Sequence, residues 1–121
     1  MNDIRSGRDV GTGAQRQVAY VISTVEGFVD ESALKRYVEL TGPAIERFGG
    51  RFIVSNSQPV VVEGESPSRH LSIVEFPSMD DIEAWYESCE YAEARAITPA
   101  TFRGRVLMFV ESGQDRNYPP T

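Results

Sequence analysis

A chain of 121 residues with 40% hydrophobic side chains is long enough for one domain with a modest core. Its formal net charge of -6 argues against nucleic acid or an anionic membrane surface as a partner. The single cysteine, Cys89, excludes an intrachain disulfide, and without a membrane-length apolar run or a signal segment we expect a cytoplasmic protein.

Both ends of the chain are polar and lack hydrophobic periodicity. Residues 1–16 and 113–121 are therefore predicted to be tails that flank one domain at residues 17–112. The domain begins with residues 18–25, whose β-branched and aromatic side chains predict a strand.

A helix is predicted next, because apolar residues recur at helical spacing between residues 34 and 48. Asp30 or Ser32 can cap its beginning, and Gly49 with Gly50 can end it. Pro43 lies inside this pattern, so we expect it to kink the helix or divide it in two.

Two short strand pieces follow, at residues 51–54 and 59–63, and the pattern fits one bulged strand or a small hairpin equally well. The next strand, residues 71–76, is ended by Pro77, which cannot donate to a β-ladder. Ser78 then has the right residue type and position to cap a helix.

The second helical region carries an apolar stripe of Ile82, Trp85, Cys89 and Ala92. A break near residues 88–90 and an end at Pro99 are expected. The stripe predicts that Cys89 is an inert thiol in the core.

The last strand is predicted at residues 103–111, with 106–110 as a buried run. The resulting β-α-β-β-α-β order predicts an α+β, ferredoxin-like fold with both helical regions on one face of an antiparallel sheet. The other face carries apolar side chains and must also be covered.

Several short motifs of this chain resemble the family known as domain of unknown function 1330. They are Gly49-Gly50-Arg51-Phe52, Glu63-Gly64, Glu75-Phe76-Pro77-Ser78 and Ala84-Trp85-Tyr86-Glu87-Ser88 with Tyr91. The resemblance covers residues 18–111. It implies that two copies pair their sheets into a dimeric α/β barrel, so a homodimer is the expected partner.

His70 is the only histidine, the residue type whose charge changes near neutral pH. Strand alternation places His70, Ser72 and Phe76 on one face of the sheet, which favours a polar spot in a pocket. The alternative is a strand-end histidine that reaches solvent or a dimer seam. The family often carries an arginine near this point, and Arg69 beside His70 leaves the alignment ambiguous by one residue.

Glu75, which precedes the Phe-Pro-Ser motif, is the second candidate for chemistry. It could accept backbone N–H groups at the next helix start, or act as a general base in a dry pocket. Glu63 has the same two interpretations. Alternation separates Glu75 from His70, which weakens the case for an acid–base pair.

Ligands of related dimeric barrels lie between sheet and helices, so the resemblance implies a cavity for a small apolar or aromatic molecule. Its predicted lining is aromatic, with His70 and Ser72 as polar members. The aromatic candidates are Tyr20, Tyr37, Phe52, Phe76 and Trp85. The simpler interpretation of each is a core residue, and a buried Trp85 needs a partner for its indole N–H.

No zinc cluster, phosphate-binding loop, dinucleotide motif or nucleophile elbow is present in the sequence, and no metal or cofactor is expected. Two functions remain. One is a small-molecule-binding dimer whose ligand lies between sheet and helices. The other is a cofactor-independent monooxygenase- or isomerase-like enzyme that uses His70 and Glu75 on an aromatic or polyketide-like substrate.

Overall fold

The computed structural model describes residues 17–113. The predicted N-terminal tail, residues 1–16, lies outside the described residues. The predicted C-terminal tail, residues 113–121, also lies outside them, apart from Gly113. The described elements are, in chain order, β1 (Ala19–Val25), β2 (Gly27–Phe28), α1 (Glu31–Arg47), β3 (Arg51–Ser57), β4 (His70–Phe76), α2 (Met79–Tyr86), α3 (Cys89–Thr101), β5 (Phe102–Arg103) and β6 (Val106–Glu111).

The main sheet has the strand order β3-β4-β1-β6, and every pairing in it is antiparallel. Strand β1 lies in the centre, with Ala19 opposite Phe76 on one side and opposite Glu111 on the other. Together with the helical crossovers this is the ferredoxin-like α+β fold that the element order predicts. The short strands β2 and β5 pair separately.

Helix α1 begins at Glu31 because the Asp30 side chain accepts the Ala33 N–H at 2.8 Å. It continues without a break to Arg47, so the expected division at Pro43 is wrong. Pro43 removes one donor in the ladder to Glu39, but both residues are exposed and water can reach the freed carbonyl. Gly49, at φ 86°, then turns the chain out of the helix.

Strand β3 is bulged but ends at Ser57, so residues 59–63 form neither the second half of one strand nor the second strand of a hairpin. Its pairing with β4 shifts register between Phe52 and Val54 and again between Val54 and Ser57. The strand predicted at residues 59–63 is absent, and Val60 and Val62 are 86% and 87% exposed. These β-branched residues have strand propensity but find no neighbouring strand within the described chain.

The second helical region is interrupted at Ser88, as expected. The Ser88 hydroxyl accepts the Tyr91 N–H and donates to the Trp85 carbonyl at 2.7 Å, so a new helix begins. This restart changes the buried face to Tyr91 and Ala94. Cys89 is consequently exposed, and its assignment to the core was wrong.

The predicted end at Pro99 is also wrong, because α3 runs to Thr101 with the exposed Pro99 in its last turn. The last predicted strand is divided by a turn at Gly104, where φ is 66°. The run 106–110 was expected to be buried, but in β6 only alternate residues face the core. Phe109 packs against the core, whereas Met108 is 42% exposed. No helix among residues 17–113 is long and apolar enough to cross a membrane.

Candidate functional site

The inner face of the sheet, which faces the helices, forms the floor of the candidate site. Ser23 of β1 lies opposite Ser72 of β4 in register. At one end of β4, Val74 and Phe76 are buried at 5% and 1% exposure and belong to the core. At the other end, Ser72 and His70 are half-buried. The core therefore fills only one end of this face.

A cavity of about 250 Å³ occupies the space between this floor and α1. Its wall is mostly aliphatic and aromatic, which is typical of sites for small organic molecules. The apolar lining includes Val21, Val25, Phe28, Leu34, Val38, Ile45, Val74, Phe102 and Leu107.

Five of the eight residues predicted for the site lie on the cavity wall. They are Tyr37 from α1, Phe52 from β3, His70 and Ser72 from β4, and Trp85 from α2. Tyr37 and Trp85 are buried, whereas Phe52 is 46% exposed. Helical periodicity and strand alternation thus direct side chains from four elements into one space.

The other three predicted residues lie outside the cavity. Tyr20 and Glu75 are paired across β1 and β4 and point to the outer face of the sheet, by alternation from the buried Ala19 and Phe76. Phe76 is on the inner face but packs into the core against Trp85, with ring centroids 5.6 Å apart. The expected cavity positions of Tyr20 and Phe76 are therefore wrong.

Tyr37 is held by a second tyrosine that sequence reasoning did not select. Its hydroxyl oxygen is 2.7 Å from that of Tyr91, which is 1% exposed. Burial raises the pKa of Tyr91 well above its usual value, the adjacent Tyr37 raises it further, and Arg105 opposes both. Tyr91 therefore stays protonated through neutral pH.

Arg105 brings a permanent positive charge to the cavity wall. Its guanidinium carbon lies 4.7 Å from the centre of the Phe102 ring and 5.3 Å from that of the Tyr37 ring. Both rings stabilise the cation through their faces. The guanidinium is also close enough to the Tyr91 hydroxyl to lower its pKa through its charge and a hydrogen bond.

Three buried polar atoms of lining residues have no hydrogen-bond partner within residues 17–113. They are Arg105 Nε, Trp85 Nε1 and Thr41 Oγ1. The indole and guanidinium groups can only donate, and the threonine hydroxyl can donate or accept. Buried polar groups normally have partners, so three exceptions at one cavity require an explanation.

His70 lies at the end of the cavity near β2, with its ring centroid 4.9 Å from that of Phe28. Ser72 accepts the backbone N–H of Asn56 at 2.8 Å and so anchors the bulged strand β3 to β4. Asn56 itself lines the cavity in a left-handed conformation at φ 49°. Ser72 therefore helps to hold Asn56 at the cavity wall.

The structure does not bring His70 and Glu75 together. Glu75 forms an ion pair with Arg51, with 2.8 Å between Oε1 and Nη2, on the outer side of the sheet. The capping role considered for Glu75 is not observed, because the Ser78 hydroxyl accepts the Asp81 N–H of α2. Among residues 17–113, no group of three histidine, cysteine or acidic side chains could hold a metal ion.

Sequence reasoning missed Arg105, Thr41 and Tyr91. Thr41 lies within the helical pattern of residues 34–48 without being singled out by it, and Tyr91 is named only as part of a family motif. The available signal near Arg105 is Gly104, because a glycine in this position indicates a turn. Gly104 adopts a positive φ of 66°, which glycine tolerates, and the turn separates β5 from β6. Nothing in the linear pattern indicates that the following arginine turns inwards.

Solved structures with the same fold come from several bacteria. A protein of unknown function from Rhodopseudomonas palustris is 19% identical, with a TM-score of 0.67 over 84% of this chain and 86% of its own. A Caulobacter crescentus protein provisionally named an antibiotic biosynthesis monooxygenase is 13% identical, with a TM-score of 0.56 over 82% and 92%. A cofactor-independent oxygenase from Streptomyces nogalater is 11% identical, with a TM-score of 0.52 over 84% and 98%.

At these identities the likeness concerns the fold alone. No curated protein matches the chain. A family model does match, over residues 18–112, and its description is domain of unknown function (DUF1330). The matched segment includes every residue of the cavity wall. The chain therefore belongs to the DUF1330 family.

Proposed function

We propose that this protein binds a small, flat, apolar molecule with one polar end in the cavity between α1 and the sheet. The observation that carries the proposal is the set of three buried polar atoms that have no partner within residues 17–113, on a mostly apolar wall. Each such atom costs about 1–3 kcal/mol when it stays unsatisfied. A ligand whose polar end reaches them offsets that cost.

The size of the cavity supports the proposal. An apolar cavity of about 150 Å³ is large enough to bind benzene. The cavity of about 250 Å³ therefore suits a one- or two-ring molecule with a polar substituent. Aromatic wall residues such as Phe28 and Tyr37 provide flat surfaces for stacking.

Gly42 offers a direct test, because it lines the cavity and a Cβ atom added to it meets nothing within 4 Å. Gly42→Leu is therefore expected to fill the cavity without a clash at the backbone. The matched control is Ala96→Leu, which adds a larger side chain at an exposed position of α3.

Native mass spectrometry of gently purified protein, followed by titration with one- and two-ring aromatic acids, alcohols and amides, measures occupancy. We expect bound small molecules with the wild type and Ala96→Leu but not with Gly42→Leu. If the wild type binds nothing, or if Gly42→Leu binds as well as the control, the cavity is not the binding site.

We further propose that the protein is a homodimer formed by the outer face of the sheet. This face carries Ile22, Ile73 and Met108 at its centre, paired across β4, β1 and β6. Seven-residue strands at normal spacing span roughly 24 by 19 Å over four strands. Two such faces bury an area close to the ~1,000 Å² that a specific interface needs.

Sedimentation at micromolar concentration should give twice the mass of the chain. Met108→Lys places a charge in the proposed interface and is expected to shift the protein towards monomer. Val29→Lys introduces the same charge at a residue that is 56% exposed and away from the sheet face, and serves as the control. A monomeric wild type contradicts the proposal.

The second candidate is a cofactor-independent enzyme of the monooxygenase or isomerase type. The observation that favours it is His70 on the cavity wall, because histidine can accept or donate a proton near neutral pH. Glu75 does not share the cavity, so an acid–base pair is not part of this candidate. Once a ligand is identified, turnover that is unchanged in His70→Ala removes His70 from any catalytic role.

A further inference from the structure

We infer that the polar end of the ligand is an acid, and that the cavity selects planar apolar carboxylates through Arg105. This inference rests on the proposed binding function and specifies the class of molecule. It depends on the charge of the cavity wall, on the way Arg105 is held, and on the donors that lie beside it.

As far as residues 17–113 form it, the cavity wall has a positive charge and no negative one. Among the described residues that line it, Arg105 is the only permanently charged one, and none is an aspartate or glutamate. Elsewhere in the described chain, Arg36, Arg47 and Arg51 each have a carboxylate within 2.9 Å. Within residues 17–113, Arg105 has no such ion pair, although the whole chain has a net charge of -6.

Arg105 is held in a way that suits a carboxylate. The rings of Tyr37 and Phe102 lie 5.3 and 4.7 Å from its guanidinium carbon, and its Nε is buried without a partner. Aromatic faces stabilise a cation but do not accept its in-plane N–H groups, and among residues 17–113 the Nε–H of Arg105 has no other acceptor. A carboxylate can accept two parallel N–H groups from such a planar cation.

The other two buried polar groups that have no partner within residues 17–113 also favour a ligand that accepts hydrogen bonds. Trp85 Nε1 can only donate, and the Thr41 hydroxyl can donate. One of the two hydroxyl protons of Tyr37 and Tyr91 forms the hydrogen bond between these residues, and the other proton remains for a bond to a ligand. A ligand with several lone pairs satisfies these donors, whereas a neutral alcohol or amine leaves most of them unpaired.

The test compares naphthoate with its neutral carboxamide, which has the same rings but no charge. Isothermal titration calorimetry at neutral pH is carried out on the wild type, Arg105→Gln and Arg105→Lys. The control variant is Arg103→Gln, which removes the same charge from an exposed residue outside the cavity lining. Circular dichroism establishes that each variant is folded.

We expect the wild type and Arg103→Gln to bind naphthoate at least about tenfold more tightly than the carboxamide, as for a charge-assisted hydrogen bond in a buried site. Arg105→Gln should lose this preference while its affinity for the carboxamide changes little. Arg105→Lys keeps the charge without the planar geometry and should keep only part of the preference.

The outcomes separate this inference from the proposed function. If both probes bind the wild type equally, the cavity binds aromatic molecules but does not select an acid, and only the inference is overturned. The same holds if Arg105→Gln or Arg105→Lys retains the full preference for naphthoate. If neither probe binds the wild type, the inference and the proposed function both fail.

Discussion

The hydroxyl pair of Tyr37 and Tyr91 allows a test of the cavity wall that needs no ligand. Tyr37 lines the cavity, whereas Tyr91 lies behind it and is 1% exposed. Each Tyr→Phe substitution removes one oxygen and leaves the other hydroxyl without its 2.7 Å partner. The two substitutions are therefore chemically identical but leave the surviving hydroxyl in different surroundings.

The expected magnitudes follow from those surroundings. In Tyr37→Phe the Tyr91 proton is left in a dry position, which costs about 1–3 kcal/mol of unfolding free energy. In Tyr91→Phe the Tyr37 hydroxyl still faces the cavity, where water can replace the lost partner, so the cost is about 0.5–1.5 kcal/mol. The double variant should lose about 1 kcal/mol less than the sum of the single losses.

Urea denaturation of the wild type and the three variants measures these free energies. The reasoning fails if Tyr91→Phe is the more damaging single substitution, or if the losses are additive. Either result means that the hydroxyls are not coupled as the structure describes, or that Tyr91, not Tyr37, borders the cavity.

The wild type and the three tyrosine variants should also differ in how their unfolding free energy depends on pH. Burial, followed by the influence of Tyr37, raises the pKa of Tyr91 above its ordinary value of 10.0, and Arg105 lowers it only in part. The unfolded state therefore releases this proton first as the pH rises. The contribution to stability is fully present below about pH 10 and declines above it. Tyr91→Phe should show a smaller alkaline decline than the wild type, and equal declines contradict the assignment.

Three further predictions concern stability and can be checked by denaturant unfolding. Trp85→Ala should lose about 3–5 kcal/mol, because Trp85 is 2% exposed and packs on Phe76, and a loss well below 1 kcal/mol contradicts its buried position. Gly42→Ala should gain about 0.5–1 kcal/mol, because its Cβ enters open space within a helix, and a loss would mean that the space is filled. Ser88→Ala should lose about 1 kcal/mol as the α3 cap is removed, and an unchanged midpoint would show that the cap is dispensable.

The fold was predictable because its signals are local. Pro77 and Ser78 mark the change from strand to helix within two residues, and the residues of β4 alone indicate which side chains share a face of the sheet. The same locality explains why Tyr37, His70 and Trp85 lie on the cavity wall, since each follows the periodicity of a single element.

The failures have three physical causes. Tyr20 was assigned to the wrong face because β1 is apolar on both faces, so alternation does not reveal which side meets the helices. Cys89 was misplaced because Ser88 restarts the helix and shifts its phase. Arg105 could not be found at all, since Tyr37, one of the two rings that hold it, comes from α1, far away in sequence, and the other, Phe102, is brought back onto it by the turn at Gly104.

Trp85 is the only tryptophan of the chain, and its indole N–H, which has no partner within residues 17–113, belongs to the cavity wall. Indole emission depends on whether this N–H is hydrogen-bonded, and the adjacent Tyr91 ring lies with its centroid at 4.4 Å. The protein therefore carries its own optical reporter at the site. A change in the wavelength or intensity of its ultraviolet emission would signal occupancy of the cavity in unlabelled protein, before any ligand has been identified.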